Sequence, residues 1–179
     1  MHERRFQGDP DRLRSPDRVA QLEVERVVTL CLEGIAAHSV LDVGTGTGVF
    51  AESFVAHGLE VAGLDVNPDM VLAAQRLVPQ AHFEQAPAEA IHHRDQAFDL
   101  VFLGLVLHET DDALQALREA RRLARMRVAV LEWPYLEQEH GPPLDRRLSP
   151  EQLAELARDT GFDRVETLPL VHMVLYRLS

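Results

Sequence analysis

The stretch Val40-Leu-Asp-Val-Gly44-Thr-Gly46-Thr-Gly48-Val-Phe50 decides the fold. Val40, Leu41 and Val43 are apolar and mostly β-branched, the signature of a buried strand. Three glycines follow at alternate positions, and Val49, Phe50 and Ala51 begin a helical pattern. A strand–glycine turn–helix unit lets a ligand approach bare backbone, because glycine has no Cβ and tolerates positive φ. The helix N-terminus adds free N–H groups and partial positive charge. Gly44-x-Gly46 also opens the dinucleotide fingerprint, which wants a third small residue at position 49. Position 49 is Val, and the third glycine falls at 48. Asp42 beside the loop repels a pyrophosphate and attracts a cation. The loop therefore suits a ligand with a cationic end.

The totals narrow the class. A chain of 179 residues fits one domain with a sizeable core. With 46% hydrophobic and 26% charged residues it reads as an ordinary globular protein rather than a disordered one. The net charge of −11 opposes a phosphate backbone, so no nucleic-acid partner is expected. The Arg-rich run from Arg118 to Arg127 reads as the solvated face of an amphipathic helix. Cys31 is the single cysteine, which excludes an intrachain disulfide or a thiolate metal cage. His92-His93 lacks metal-ligand spacing, so no metal is expected. No apolar run is long enough to span a bilayer, and Met1-His-Glu-Arg-Arg-Phe leads into no apolar segment. A cytoplasmic location with no membrane partner follows as the default.

Residues 1–35 read as a polar arm over 1–14 followed by one helix. Ser15-Pro16-Asp17 starts that helix and Gly34 stops it. From Ala36 the pattern is β-α repeated. A helix runs from about Thr47 to His57. Glu60 to Asp65 forms a strand ending in a carboxylate. Asn67-Pro68 opens a helix through about Leu77. Ala81 to Gln85 is a weak strand and Phe98 to Leu103 a strong one. Asp111 or Asp112 caps a helix to about Ala124, and Arg127 to Glu132 is a buried strand. Ser149-Pro-Glu-Gln152 is a capping box. Strands over Arg164–Leu168 and His172–Leu178 are joined so closely that they pair antiparallel. Such a series predicts an α/β domain over 36–179, a largely parallel sheet with helices on both faces. Ligands bind outside the carboxyl ends of its strands.

Asp42, Gly44, Gly46 and Gly48 resemble motif I of the class I S-adenosylmethionine-dependent methyltransferases, whose pattern is acid-x-Gly-x-Gly-x-Gly. The resemblance covers nearly the whole chain from Ala36. It implies a Rossmann-like, doubly wound sheet of seven strands in the order 3-2-1-4-5-7-6, with strand 7 antiparallel. It implies S-adenosylmethionine as cofactor, held by Asp42, Gly44, Thr45, Gly46, Gly48, Asp65, Val66, Met70, Ala88, Glu89 and Leu103. Asp65 is the acid that accepts from ribose hydroxyls, and Met70 packs on the adenine. The family often carries Gly-Asp-Ala-Glu before the fourth strand. Here the residues are Ala86-Pro87-Ala88-Glu89, so the acid that takes the adenine amino group is missing. Proline has neither carboxylate nor N–H. The Ala88 N–H, Glu89 or a water is left to recognise the ring.

Leu107-His108-Glu109 after the fourth strand resembles the small-molecule enzymes of the ubiquinone and menaquinone type. His108, with a pKa suited to neutral pH, is the candidate general base. Glu109, Glu132, Trp133 and Tyr135 are expected around the substrate mouth, where acids and aromatic faces favour a cationic or planar acceptor. Gly141-Pro-Pro143 and Arg146-Arg147 have the composition of a mobile flap. The expected activity is methyl transfer to a small molecule by direct displacement. The rivals are a nicotinamide-dependent oxidoreductase, disfavoured by Val49 and Asp42, and a protein that binds S-adenosylmethionine without turning it over. Monomer and homodimer both stay open.

Overall fold

The computed structural model describes residues 10–138 and 140–179. Of the expected N-terminal arm, residues 1–9 lie outside the described residues. The elements in order are α1 (Pro10–Leu13), α2 (Pro16–Leu22), α3 (Val24–Leu32), β1 (Ser39–Val43), α4 (Val49–Ala56), β2 (Glu60–Asp65), α5 (Pro68–Leu77) and β3 (His82–Gln85). Then come β4 (Phe98–Gly104), a 3-10 turn (Leu107–Glu109), α6 (Ala113–Leu123), β5 (Ala124–Glu132), a second 3-10 turn (Leu144–Arg146), α7 (Pro150–Asp159), β6 (Val165–Pro169) and β7 (Val174–Leu178). One seven-stranded sheet has the order β3-β2-β1-β4-β5-β7-β6. All pairs are parallel except those of β7 with β5 and with β6. Both the strand order and the antiparallel seventh strand agree with the expectation from sequence.

The continuous apolar strands arise because both sheet faces are covered. On β4, Leu100 and Phe102 enter the core layer that includes Val28, Cys31 and Phe54. The alternate residues Val101 and Leu103 enter the opposite layer, with Leu117, Val130 and Leu153. A strand has period two, so burial on both sides makes Leu100 to Leu103 a continuous apolar run.

Three local expectations are corrected. The helix expected from Ser15 to Gly34 is broken at Glu23, which adopts left-handed backbone at φ 48°. The Glu23 N–H ends α2 on Ala20 O, and its carbonyl accepts from Val27 N–H to begin α3. Its carboxylate then takes the Val171 N–H at 2.7 Å, tying this bend to the β6–β7 turn. No glycine or proline marked the break. Secondly, β5 begins at Ala124 directly after α6, with a register shift opposite Phe98 and Leu100. Thirdly, the Arg118–Arg127 run is not simply solvated. Arg122 donates to Ile91 O, Arg125 to Gln96 O and Arg127 to Cys31 O, at 2.9, 2.7 and 2.7 Å. These guanidiniums seal loop carbonyls and the carboxyl end of α3 at the end of the sheet opposite the glycine loop. Among the described residues no helix is long and apolar enough to cross a membrane.

At that same end Asp99, buried at 4% exposure, gathers β1, β4 and β5. It accepts from the N–H groups of His38 (2.9 Å) and Ser39 (3.2 Å) and from Arg125 Nη1 (2.7 Å). The His38 N–H, against the cost of burial and with help from Arg125, holds the Asp99 carboxyl below the ordinary range. Asp99→Ala should therefore lower stability by about 1.5–3 kcal/mol at neutral pH, the size of a charged hydrogen-bond set. Urea unfolding checks this as a lower midpoint at unchanged slope. A depressed native pKa contributes stability above the unfolded value. The gap between parent and variant should close as pH falls from about 3.9 through the lower native value.

Candidate active site

The loop after β1 is held by its neighbour strand. The N–H groups of Gly44 and Thr45 both donate to Leu64 O, at 2.8 and 2.9 Å. The Gly46 N–H donates to Asp65 Oδ2 at 2.9 Å, while Asp65 Oδ1 accepts from Asn67 N–H at 2.9 Å. Gly44 has φ +69°, and a Cβ there would sit 2.5 Å from Val106 Cγ2. Position 44 thus needs glycine twice over, for its backbone and for the approach of the loop after β4.

Above this floor lies a cavity of about 1090 Å³. Of the cofactor residues expected from sequence, Gly44, Thr45, Gly46, Asp65, Val66, Met70, Ala88 and Glu89 line it. Asp42, Gly48 and Leu103 do not. Gly48 turns toward Val78, Ala74 and Phe83, where it serves packing. Leu103 is fully buried, and the cavity is lined instead by Gly104, Leu105 and Val106. Asp42 lies under the loop at 2% exposure and accepts from Thr45 Oγ1 at 2.7 Å. Burial, opposed by the Thr45 hydroxyl and reinforced by the Asp65 charge, pushes its carboxyl up to about 7. Glu89 Oε1 accepts the Asp111 N–H at 2.9 Å, so this acid also orders the turn ahead of α6.

One polar atom of the floor is unsatisfied. Thr47 Oγ1 is buried without a partner among the described residues, and Thr47 lines the cavity. A bare glycine turn, an orphaned hydroxyl, a carboxylate at the end of β2 and a buried methionine after it fit a nucleoside with a polar amino-acid tail. Thr47 was not singled out from sequence, because a threonine between two glycines also suits a plain turn.

The far half of the cavity is built by the chain after β4 and β5. His108 lines it, with only 6% of its side chain exposed. Its Nδ1 lies 2.7 Å from Glu132 Oε2, and its own N–H donates to Glu132 Oε1 at 3.1 Å. Nε2 is 3.8 Å from Glu109 Oε1. Burial opposes the imidazolium, but the Glu132 charge and hydrogen bond, with Glu109 adding, raise the His108 pKa above its ordinary value. Glu132 does not line the cavity. Expected at the mouth, it sits behind His108 at 2% exposure.

Trp133 does line the cavity, but its ring is already engaged. The guanidinium carbons of Arg18 and Arg147 lie 5.1 and 5.4 Å from its centroid, and Gly141 packs against it. Tyr135 stands half exposed outside the lining, because the chain turns away at Pro134. Glu109 lines the cavity. The flap at 141–147 is tied down by one side chain. Arg147 donates to Pro142 O, Pro134 O, Leu136 O, Gln138 Oε1 and His140 O, at 2.8–2.9 Å. Leu13, Arg14 and Arg18 close the site from the N-terminal side. Leu13 Cδ1 lies 3.3 Å from where a Gly46 Cβ would be, and Arg14 donates to Thr47 O.

A parallel sheet reversed by an antiparallel seventh strand, with a glycine loop after β1 and an acid ending β2, defines the class I methyltransferase fold. A family model described as a methyltransferase domain matches residues 41–129. Residues 41–129 are thus similar to a methyltransferase domain, and the sheet that contains them has the fold of the class whose cofactor is S-adenosylmethionine. The chain is 33% identical over 95 residues to a demethylmenaquinone methyltransferase of Chlorobaculum parvum, covering 52% of this chain and 39% of that one. It is 33% identical over 105 residues to a malonyl-[acyl-carrier protein] O-methyltransferase of Salmonella typhimurium, covering 59% and 41%. The match thus spans about two fifths of the length of these relatives. The crystal structure of a SAM-dependent methyltransferase from Aquifex aeolicus superposes with TM-score 0.82 at 24% identity, over 96% of this chain and 98% of that one.

Two measurements test the floor. Asp65→Ala should weaken S-adenosylhomocysteine binding in calorimetry by about 1.5–3 kcal/mol, since it removes a charged acceptor and frees the Gly46 N–H. Asp65→Asn, which keeps one acceptor oxygen, should lose less. Asp42 gives a pH signature. Its raised native pKa means that the folded state binds more protons than the unfolded one between about 3.9 and 7. Stability should fall as pH rises through that window, and Asp42→Asn should flatten the fall in thermal melts.

Proposed function

We propose that this chain transfers the methyl group of S-adenosylmethionine to a small-molecule acceptor by direct displacement, with His108 as general base and Glu132 as its orienting partner. When bound, the cofactor supplies a methyl on a positively charged sulfur that departs with its electron pair. The chain aligns the acceptor in line with that bond and excludes water; such alignment is worth up to about 7–11 kcal/mol.

The 2.7 Å contact between His108 Nδ1 and Glu132 carries the reading. A carboxylate only accepts, so Nδ1 must hold the proton, and Nε2 is left with its lone pair. A buried acid behind an imidazole fixes tautomer and ring, and stabilises the charge that forms when Nε2 takes a proton. As the acceptor's bond to the methyl forms, the acceptor's proton passes to Nε2. The demethylmenaquinone and malonyl-carrier relatives act by name on different acceptors, so they support methyl transfer without choosing a substrate.

His108→Ala should leave S-adenosylhomocysteine affinity nearly unchanged while turnover falls about 10²–10⁴-fold. The parent rate should rise with pH along a limb above about 6.5, the ordinary histidine value, because Glu132 raises the His108 pKa. Glu132→Gln should move that limb to lower pH. Stability has the matching sign. A raised histidine pKa contributes stability that is full below the unfolded value and lost as pH rises through the native one. A His108→Ala enzyme with parental turnover at every pH would remove the base and leave alignment as the source of rate. Absence of any S-adenosylhomocysteine with a broad acceptor set would favour the reading as a binding protein without turnover.

A further inference from the structure

The cavity is divided by charge. On the side of β2 and β3 it is lined by Asp65, Glu89 and Asp111, which suits a cofactor carrying a cationic sulfur and an ammonium group. On the side of β5, β7 and β6 it is lined by Arg18, Arg146, His108, His140 and His172. In a chain of net charge −11 arginines facing a cavity run against the field of the whole molecule, even with Asp17 and Glu109 on the same side. An anion is repelled by such a field unless the site reverses it locally.

Arg18 is the informative residue. It reaches from α2 to the ring of Trp133, directly after β5, and is half-buried. Among the described residues its side chain donates one hydrogen bond, to the neutral Gln21 Oε1 at 3.2 Å, and makes no ion pair. Of the other guanidiniums close to the site, Arg14 is taken by Glu52 and Thr47 O, and Arg147 by its set of carbonyls and the Gln138 amide, whereas Arg12 and Arg146 line the cavity without reaching Trp133. A half-buried guanidinium without a carboxylate, facing a cavity, is a ready bidentate partner for an oxyanion. Trp133 does not offer a cation-binding face, because Arg18 and Arg147 already lie against it. The acids on this side are Asp17 and Glu109. Neither pairs with Arg18.

We propose that the methyl acceptor carries a carboxylate or phosphate group, and that Arg18, supported by Arg146, binds this group beside Trp133. Of the cationic or planar acceptor that acid and aromatic residues suggested in the sequence, this replaces the cationic alternative and leaves the planar one. It rests on the methyltransferase reading for the identity of the other half of the cavity. The same arginine chemistry would also take the carboxylate of the cofactor's amino-acid tail. Its position on Trp133, directly after β5, assigns it to the acceptor.

Trp133 is the single tryptophan, so its fluorescence reports this half of the cavity alone. The protein saturated with S-adenosylhomocysteine is titrated with benzoate and phenyl phosphate, and with neutral benzamide and cationic benzylamine as controls. The anions should bind saturably and about 10-fold or more tighter than benzamide, the usual size of a charge-assisted bond. That advantage should vanish in Arg18→Gln and be partly kept in Arg18→Lys, with S-adenosylhomocysteine affinity held within about threefold, less than the loss of one hydrogen bond to a charged group. If Arg18→Gln fails to fold, Arg18→Lys and Arg146→Gln carry the comparison, each expected to weaken the anions alone. Benzamide or benzylamine binding as tightly as the anions overturns the proposal, as does a parent with no saturable response. Loss of S-adenosylhomocysteine affinity in Arg18→Gln with benzoate binding intact would give Arg18 to the cofactor instead. Failure of the methyltransferase reading has a separate sign, a parent that does not bind S-adenosylhomocysteine. In that case the same titration on the free protein still tests the anion site.

Discussion

The site depends on a short backbone closure at the carboxyl end of β1. The N–H groups of Gly44 and Thr45 share the carbonyl of Leu64, and that of Gly46 takes the carboxylate of Asp65. The loop is thereby fixed chiefly by β2, and its own Thr45 hydroxyl adds one bond to Asp42. Val106, beyond β4, closes in over position 44, where even a methyl group would collide. Two loops and a strand that are far apart in sequence meet on one residue without a side chain. The result is a floor of polar backbone with open space above it. A flexible loop would have to be ordered by the ligand at a cost in binding energy.

The cover of that floor is held by a different device. The sequence contains no lysine, and its 18 basic residues are all arginine. A guanidinium presents several donors in a rigid plane, so one side chain can bind several carbonyls that no strand or helix would satisfy. Arg147 does this for the segment after β5, and Arg125 and Arg122 do it for the loop before β4. Irregular segments usually expose their carbonyls to water. Here they are closed by internal donors, which lets a loop lie over the cavity without a core of its own. The same usage explains why a guanidinium that clamps no carbonyl, such as Arg18, stands out.

The strands and helices themselves were legible because hydrophobic period and capping are local signals, while their order in the sheet was implied by the resemblance to the methyltransferase family. Ser149 and Gln152 form the full reciprocal capping box, and Asn67 caps α5 ahead of a proline. The glycine loop was legible for a related reason: its chemistry lies in consecutive residues. What sequence could not give is pairing across strands. His108 and Glu132 are 24 residues apart, and each was noticed separately. Only the parallel register of β4 and β5, with Gly104 beside Leu131, brings them together. The break at Glu23 was illegible because a glutamate in left-handed backbone has no local cause. It is held by contacts at Val171, far along the chain. Trp133 misled by composition: an aromatic residue near acids suggests a cation box, and nothing local shows that two arginines already occupy its surroundings.

The division of labour across the cavity follows from strand order. Strands β1, β2 and β3 lie on one side of β4 and carry the glycine loop, Asp65 and the Ala88–Glu89 turn. Strands β5, β7 and β6 lie on the other and carry Trp133, the Arg147-bound segment and His172. The turn after β4 stands between them, at the place where the order reverses and where open α/β sheets bind ligands. His108 sits in that turn. Its ring is backed by an acid from the acceptor-side strand β5 and flanked by Glu109 from its own turn. A base at the reversal point can reach an acceptor entering from one side while the cofactor lies on the other. A residue on either flank could touch only one of them. Under the proposed mechanism the two ligands have to meet, and the turn after β4 is the sheet position that borders both, with β5 packing Glu132 against the His108 ring.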